Sequence, residues 1–229
     1  MIILRSLICF LIMNEKAHFP FKIVFFIHNN SMVAKRKSKI EKLELIKKAG
    51  LIKTSVAKKN FGISQPTLSR WAKLGLIEKI GQGLYLHPDS SIDYGTLDFI
   101  IACSKFGPRS CIGGLSALYY YGLIEQPPQQ VWVLVPPEKV SRNLKFRCLR
   151  TKNSFRFGIK KLDYIRISCI ERTIIESLKY ASKIGERNAL HAARKALQQG
   201  LTSEVKLGQM ATLLKLRNVL KKYWESIVP

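Results

Sequence analysis

Residues 63–88 read ISQPTLSRWAKLGLIEKIGQGLYLHP, an order of helix, strand, turn and strand that decides how the rest of the chain is read. Ser64 stands where a helix N-cap belongs, and Pro66 falls in the first turn, where a missing backbone N–H costs nothing. Leu68, Trp71 and Leu74 recur at helical spacing as one apolar stripe, while Ser69, Arg70 and Lys73 fall on the other side. Gly75 supplies the stop, so the expectation is a short amphipathic helix with a cationic outer face. Residues 76–80 and 84–86 are two short apolar-rich runs separated by Gly81-Gln82-Gly83, a hairpin turn whose glycines tolerate positive φ.

Working upstream, residues 39–49 (KIEKLELIKKA) carry Ile40, Leu43, Leu45 and Ile46 at helical period and are closed by Gly50. Thr54 is placed to cap a second short helix that packs Val56, Ala57 and Phe61 and ends at Gly62. Two helices, a tight glycine-containing turn and a third helix match the helix-turn-helix plan, with the third helix set to enter the major groove of double-stranded DNA; the hairpin makes it winged. The expected contacts are Gln65, Thr67, Ser69, Arg70 and Lys73 on the helix and Lys79 and Gln82 on the wing. Residues 33–39 (VAKRKSK) form a basic arm whose Lys35, Arg36 and Lys37 are either solvated or further phosphate or minor-groove contacts.

The chain has 229 residues and a net charge of +24. That length holds one large or two small domains, and the charge calls for a polyanionic partner, nucleic acid before acidic membrane. The division expected is a DNA-binding domain at 33–88 and a second domain at 94–229, joined by a polar linker at 88–91, and both are basic. The five cysteines include no CxxC pair and no histidine at zinc spacing, which points to a reduced, cytoplasmic, metal-free protein. Residues 1–31 differ in composition from the rest. Their apolar runs are too short or too interrupted to span a bilayer, and the expectation is that translation starts at Met32, with a signal, an anchor or a structural segment as the other readings.

The second region is read as α+β. Residues 97–106 and 111–121 have helical spacing, and Gly113-Gly114 implies close packing at the start of the second. Residues 131–135 (VWVLV) form a continuous apolar run fit for a central strand, residues 144–150 (LKFRCLR) alternate apolar with basic, and further extended stretches lie within 158–167. These give a small mixed sheet, followed by helices over 170–182, 186–199, 203–215 and 217–226. The dispersed cations Arg142, Lys145, Arg147, Arg150, Lys152, Arg156, Lys160 and Lys161 are either solvated or a second place to meet a polyanion.

Chemistry-bearing patterns are sparse. Gly114-Leu115-Ser116 begins a nucleophile elbow but lacks the second glycine. Asp163 and Glu171 lack the acid-x-lysine pairing of a metal-dependent nuclease, and His18, His28, His87 and His191 are scattered. No catalytic residue, metal or cofactor is expected.

Four segments together resemble the AbiEi antitoxin family of type IV toxin–antitoxin systems: 68–88 (LSRWAKLGLIEKIGQGLYLHP), 107–123 (GPRSCIGGLSALYYYGL), 131–137 (VWVLVPP) and 167–178 (ISCIERTIIESL). The likeness runs over roughly residues 39–226 and leaves 1–31 unmatched. It implies an N-terminal winged helix-turn-helix that binds inverted repeats in its own promoter, with Arg70 and Lys73 as DNA contacts. It also implies a C-terminal domain that counters a nucleotidyltransferase-like toxin. Arg109, Ser116, Glu171, Arg172 and Thr173 would be landmarks of that domain, and Glu176 stands where the family pattern commonly has Asp. The leading reading is without catalysis, and no membrane partner is expected; the competing reading is a DNA-cleaving or DNA-modifying enzyme aimed by a winged helix.

Overall fold

The computed structural model describes residues 38–228; the expectations placed on residues 1–31 and on Lys35, Arg36 and Lys37 lie outside them. Among the described residues the chain is α+β, with ten α-helices and two sheets. Helix α1, Lys39–Ala49, opens on a capping box in which Ser38 and Glu41 satisfy each other's backbone N–H. Its buried anchor is Ile46; Ile40 points to solvent. Strand β1, Leu51–Lys53, follows at once, then α2, Thr54–Phe61, and α3, Gln65–Lys73. Strands β2, Glu78–Gly81, and β3, Leu84–Leu86, form an antiparallel hairpin that β1 extends to a three-stranded sheet of order β1-β3-β2.

This small sheet is covered on both faces. On one, Ile52 and Tyr85 pack with Ile46, Ala57, Ile63, Leu68, Trp71 and Ile77. On the other, Leu51, Leu84 and Leu86 join Ile100, Phe106, Val133, Val135 and Phe146 of the second region in one continuous core. Tyr164 Oη also donates to the Ala49 carbonyl at 2.8 Å, and the chain from Ser38 onward forms one compact unit.

Several sequence expectations change here. Thr54 does not cap α2: it is the first helical residue, and its amide and hydroxyl both donate to the Gly83 carbonyl, at 2.9 and 3.2 Å. Val56 and Leu74 are exposed rather than packed, Leu74 because it is the C-cap, past the last turn of α3. Cys111-Ile112 is a strand, β4, not a helix start.

In the second region α4, Leu97–Phe106, precedes β4, and α5, Gly114–Tyr120, follows it. The five-stranded mixed sheet has order β6-β5-β4-β8-β7, built from β5, Val131–Val135, β6, Phe146–Arg150, β7, Ile159–Leu162, and β8, Ile165–Ser168. The VWVLV run is therefore interior and wholly buried, but the middle strand is the two-residue β4. Gly113 and Gly114 allow the expected close approach: a Cβ on Gly113 would sit 2.5 Å from Leu134 Cγ, and Gly114, at φ +52°, would press a Cβ to 2.9 Å from Leu149. The C-terminal part is helical: α6, Ile170–Lys179, α7, Ala181–Ile184, α8, Glu186–Gln198, α9, Glu204–Leu213, and α10, Arg217–Ile227. Alanines 189, 192, 193 and 196 let α8 approach the core closely, and α6 lies at its centre among α5, α8, α9 and α10.

Candidate nucleic-acid interface

Helix α3 is built as its sequence implies at its start and on its buried side. Ser64 Oγ accepts from the Thr67 amide and lies 2.9 Å from Thr67 Oγ1, Pro66 occupies the first turn, and Leu68 and Trp71 are buried against the small sheet. With 100° per residue, burying positions 68, 71 and 72 turns Pro66, Arg70 and Lys73 directly outward, and all three are exposed along with Gln65. Ser69 is the exception. Its hydroxyl is 3.4 Å from Tyr85 Oη and half-buried, so it ties the helix to β3 instead of joining the outer face. Thr67, half-buried, serves the cap.

Lys79 lies opposite Tyr85 in the β2–β3 register. Directly opposed residues share a sheet face, so Lys79 stands on the α3 side of the sheet, at its edge strand, and is exposed. Gln82 is exposed at the β2–β3 turn, which Gly83 closes with φ +64° and which the Thr54 bonds fasten to the start of α2. Arg70, Lys73 and Lys79 take part in no ion pair among the described residues; the pairs there are Lys47–Asp89, Arg109–Glu138 and Arg172–Glu176. The structure thus brings Arg70, Lys73 and Lys79 together on one side of the molecule and removes Ser69 from the set. Tyr85, which fixes that side from behind, has no signature in the sequence beyond its place in an apolar strand.

The residues of the second region divide differently. Arg109 is exposed, 3.5 Å from Glu138. Ser116 is buried, and its hydroxyl accepts from the Trp132 amide at 2.9 Å, joining α5 to β5. Thr173 is buried, donating to the Cys169 carbonyl at 2.8 Å, with Ser168 Oγ 2.6 Å away. Arg172 is fully buried. It donates to the carbonyls of Ser154 at 2.7 Å and Phe157 at 2.6 Å, pairs with Glu176 at 3.3 Å and lies 5.3 Å from the centre of the Phe155 ring. Glu176 also accepts from Asn153 at 3.1 Å and Thr151 at 3.4 Å. Arg172 and Glu176 together pin the 151–157 loop to α6. Burial pushes the carboxyl of Glu171 up, but its own backbone amide and bonds from Cys169 and Thr202 outweigh that and leave it below the usual range. The Cys103 and Cys111 thiols are pushed up by burial, as is that of Cys169, to about 11, so they stay protonated at neutral pH.

No known family matches the chain, and no curated protein matches it. The fold is similar to that of the RV2827C protein from Mycobacterium tuberculosis, whose crystal structure superposes with a TM-score of 0.54 at 10% identity, covering 86% of this chain and 84% of that one. At that identity the likeness is one of fold. No helix among the described residues is long and apolar enough to cross a membrane.

Proposed function

We propose that the protein is a DNA-binding autorepressor and antitoxin of a type IV toxin–antitoxin operon, acting by binding rather than catalysis. In this reading residues 38–88 are a winged helix-turn-helix: α1, β1, α2 and the reading helix α3, with β2, the turn and β3 as the wing. The observation that carries it is the outward pair Arg70 and Lys73, free of ion pairs among the described residues and set over the buried Leu68 and Trp71. Lys79 adds a cation beside them, and the net charge of +24 favours a polyanion by counterion release. A guanidinium presented this way can fork onto a guanine edge, while a lysine serves any phosphate. The antitoxin half rests on the resemblance of residues 107–178 to the AbiEi family. The burial of Ser116, Arg172 and Thr173 makes these the frame of that half, with Arg109 on its surface.

The test is a separation of tasks in the full chain. Arg70→Ala/Lys73→Ala should abolish repression of a reporter fused to the DNA upstream of the gene, yet still rescue growth from a co-encoded nucleotidyltransferase-like toxin. Loss of both at normal protein level would refute the division, and repression by the double variant would refute the reading helix.

A further inference from the structure

A cleft of about 490 Å³ runs between the β2–β3 turn and the second region, lined among others by Gly81, Gln82, Asp98, Lys105, Asn143 and Lys145. It brings the turn of the small sheet beside two lysines that lie far from it in sequence. Lys105 lies in the last turn of α4 with its ammonium 4.9 Å from the centre of the Phe146 ring and 5.9 Å from that of Phe106, an arrangement that holds the charge in place without neutralising it. Lys145 sits on a backbone pinned on both sides. Its amide donates to Asn143 Oδ1 at 2.9 Å, and its carbonyl accepts from the Val131 amide at 2.8 Å. Neither lysine is in an ion pair among the described residues, and Asp98 is the one carboxylate lining the cleft.

We infer that Lys105 and Lys145 are phosphate contacts, so that the DNA interface continues past the turn onto the second region. This inference rests on the proposed DNA-binding function. The small sheet separates α3 from α4, but its β2–β3 turn reaches the cleft that holds both lysines, and duplex DNA carries one charge per about 1.7 Å of its axis. A backbone passing the turn meets cations from both faces of the sheet. The same geometry sorts the dispersed basic set of the second region: Lys145 joins the DNA side, whereas Lys160 and Lys161 lie on β7, at the opposite edge of the five-stranded sheet.

The test is fluorescence anisotropy of the full chain on a labelled random-sequence 30-base-pair duplex across a salt series. Lys105→Gln/Lys145→Gln should reduce the slope of log affinity against log salt by about 2 and weaken binding on the order of tenfold at low salt. Lys105→Arg/Lys145→Arg should keep the slope, and Lys160→Gln/Lys161→Gln should leave it at the wild-type value. Both lysine sites are exposed, and an unchanged melting temperature excludes misfolding. A wild-type slope in the Lys105→Gln/Lys145→Gln variant overturns this inference alone if Arg70→Ala/Lys73→Ala still weakens binding. Failure of the wild-type protein to bind duplex overturns it together with the proposed function.

Discussion

Arg70 on α3 and Arg172 on α6 are both arginines in short polar motifs, SRW and ERT, and their surroundings give them opposite work. Helix α3 is covered on one side only, so burying Leu68 and Trp71 forces Arg70 outward. Helix α6 is covered all round, and residues 172–178 are all buried. There the guanidinium has no water, and its charge is absorbed by Glu176 and by the carbonyls of Ser154 and Phe157. What a cation in a motif does depends on how many sides of its helix the fold covers.

The largest effect expected from this contrast is on stability. Arg172→Ala would leave Glu176 buried without its counter-charge and two loop carbonyls without a donor, at a cost of about 3–5 kcal/mol, read as a fall in melting temperature of roughly 10 °C. Arg70→Ala, at an exposed site, should change stability by less than about 0.5 kcal/mol. Chemical denaturation of both variants checks the pair, and comparable losses would break the distinction. A smaller effect sharpens the covered side: Gly113→Ala should cost about 1–3 kcal/mol by overpacking, since its Cβ would meet Leu134 at 2.5 Å. A variant of wild-type stability would mean that the β4–α5 junction has room the structure does not show.

The α1 helix was legible to the residue, because Ile46 with the Gly50 stop defines one face and one end. The hairpin around Gln82 and the helices after residue 170 were legible in kind but not in bounds: β2 begins at Glu78 rather than at residue 76, and the single helix expected over 170–182 is two, α6 and α7, parted at Tyr180. What the sequence hid depends on partners. Strand β1 is three residues between Gly50 and Thr54, and β4 is two residues before Gly113; neither is long enough for a period, and each is a strand because β3, or β5 and β8, lie alongside. Ser69 looked outward on a helical wheel, yet Tyr85 reaches it from β3. Helix α6 carries a clear apolar stripe, Ile170, Ile174, Ile175 and Leu178, which puts Arg172 and Glu176 on the face a helical wheel sends to solvent, so ERT gave no sign that its arginine faces a core. Lys105 carried no signal at all; its place beside Gln82 and Lys145 exists only in the fold.

The central claim is that α3 presents Arg70 and Lys73 to DNA, and the most direct measurement is the affinity of the full chain for the duplex upstream of its own gene against a random duplex at matched salt. The wild-type protein should prefer the upstream DNA. Arg70→Ala should lose about 1–3 kcal/mol of that preference, and Lys73→Ala should weaken both duplexes alike. Equal affinities of wild type and double variant for the upstream duplex would contradict the account.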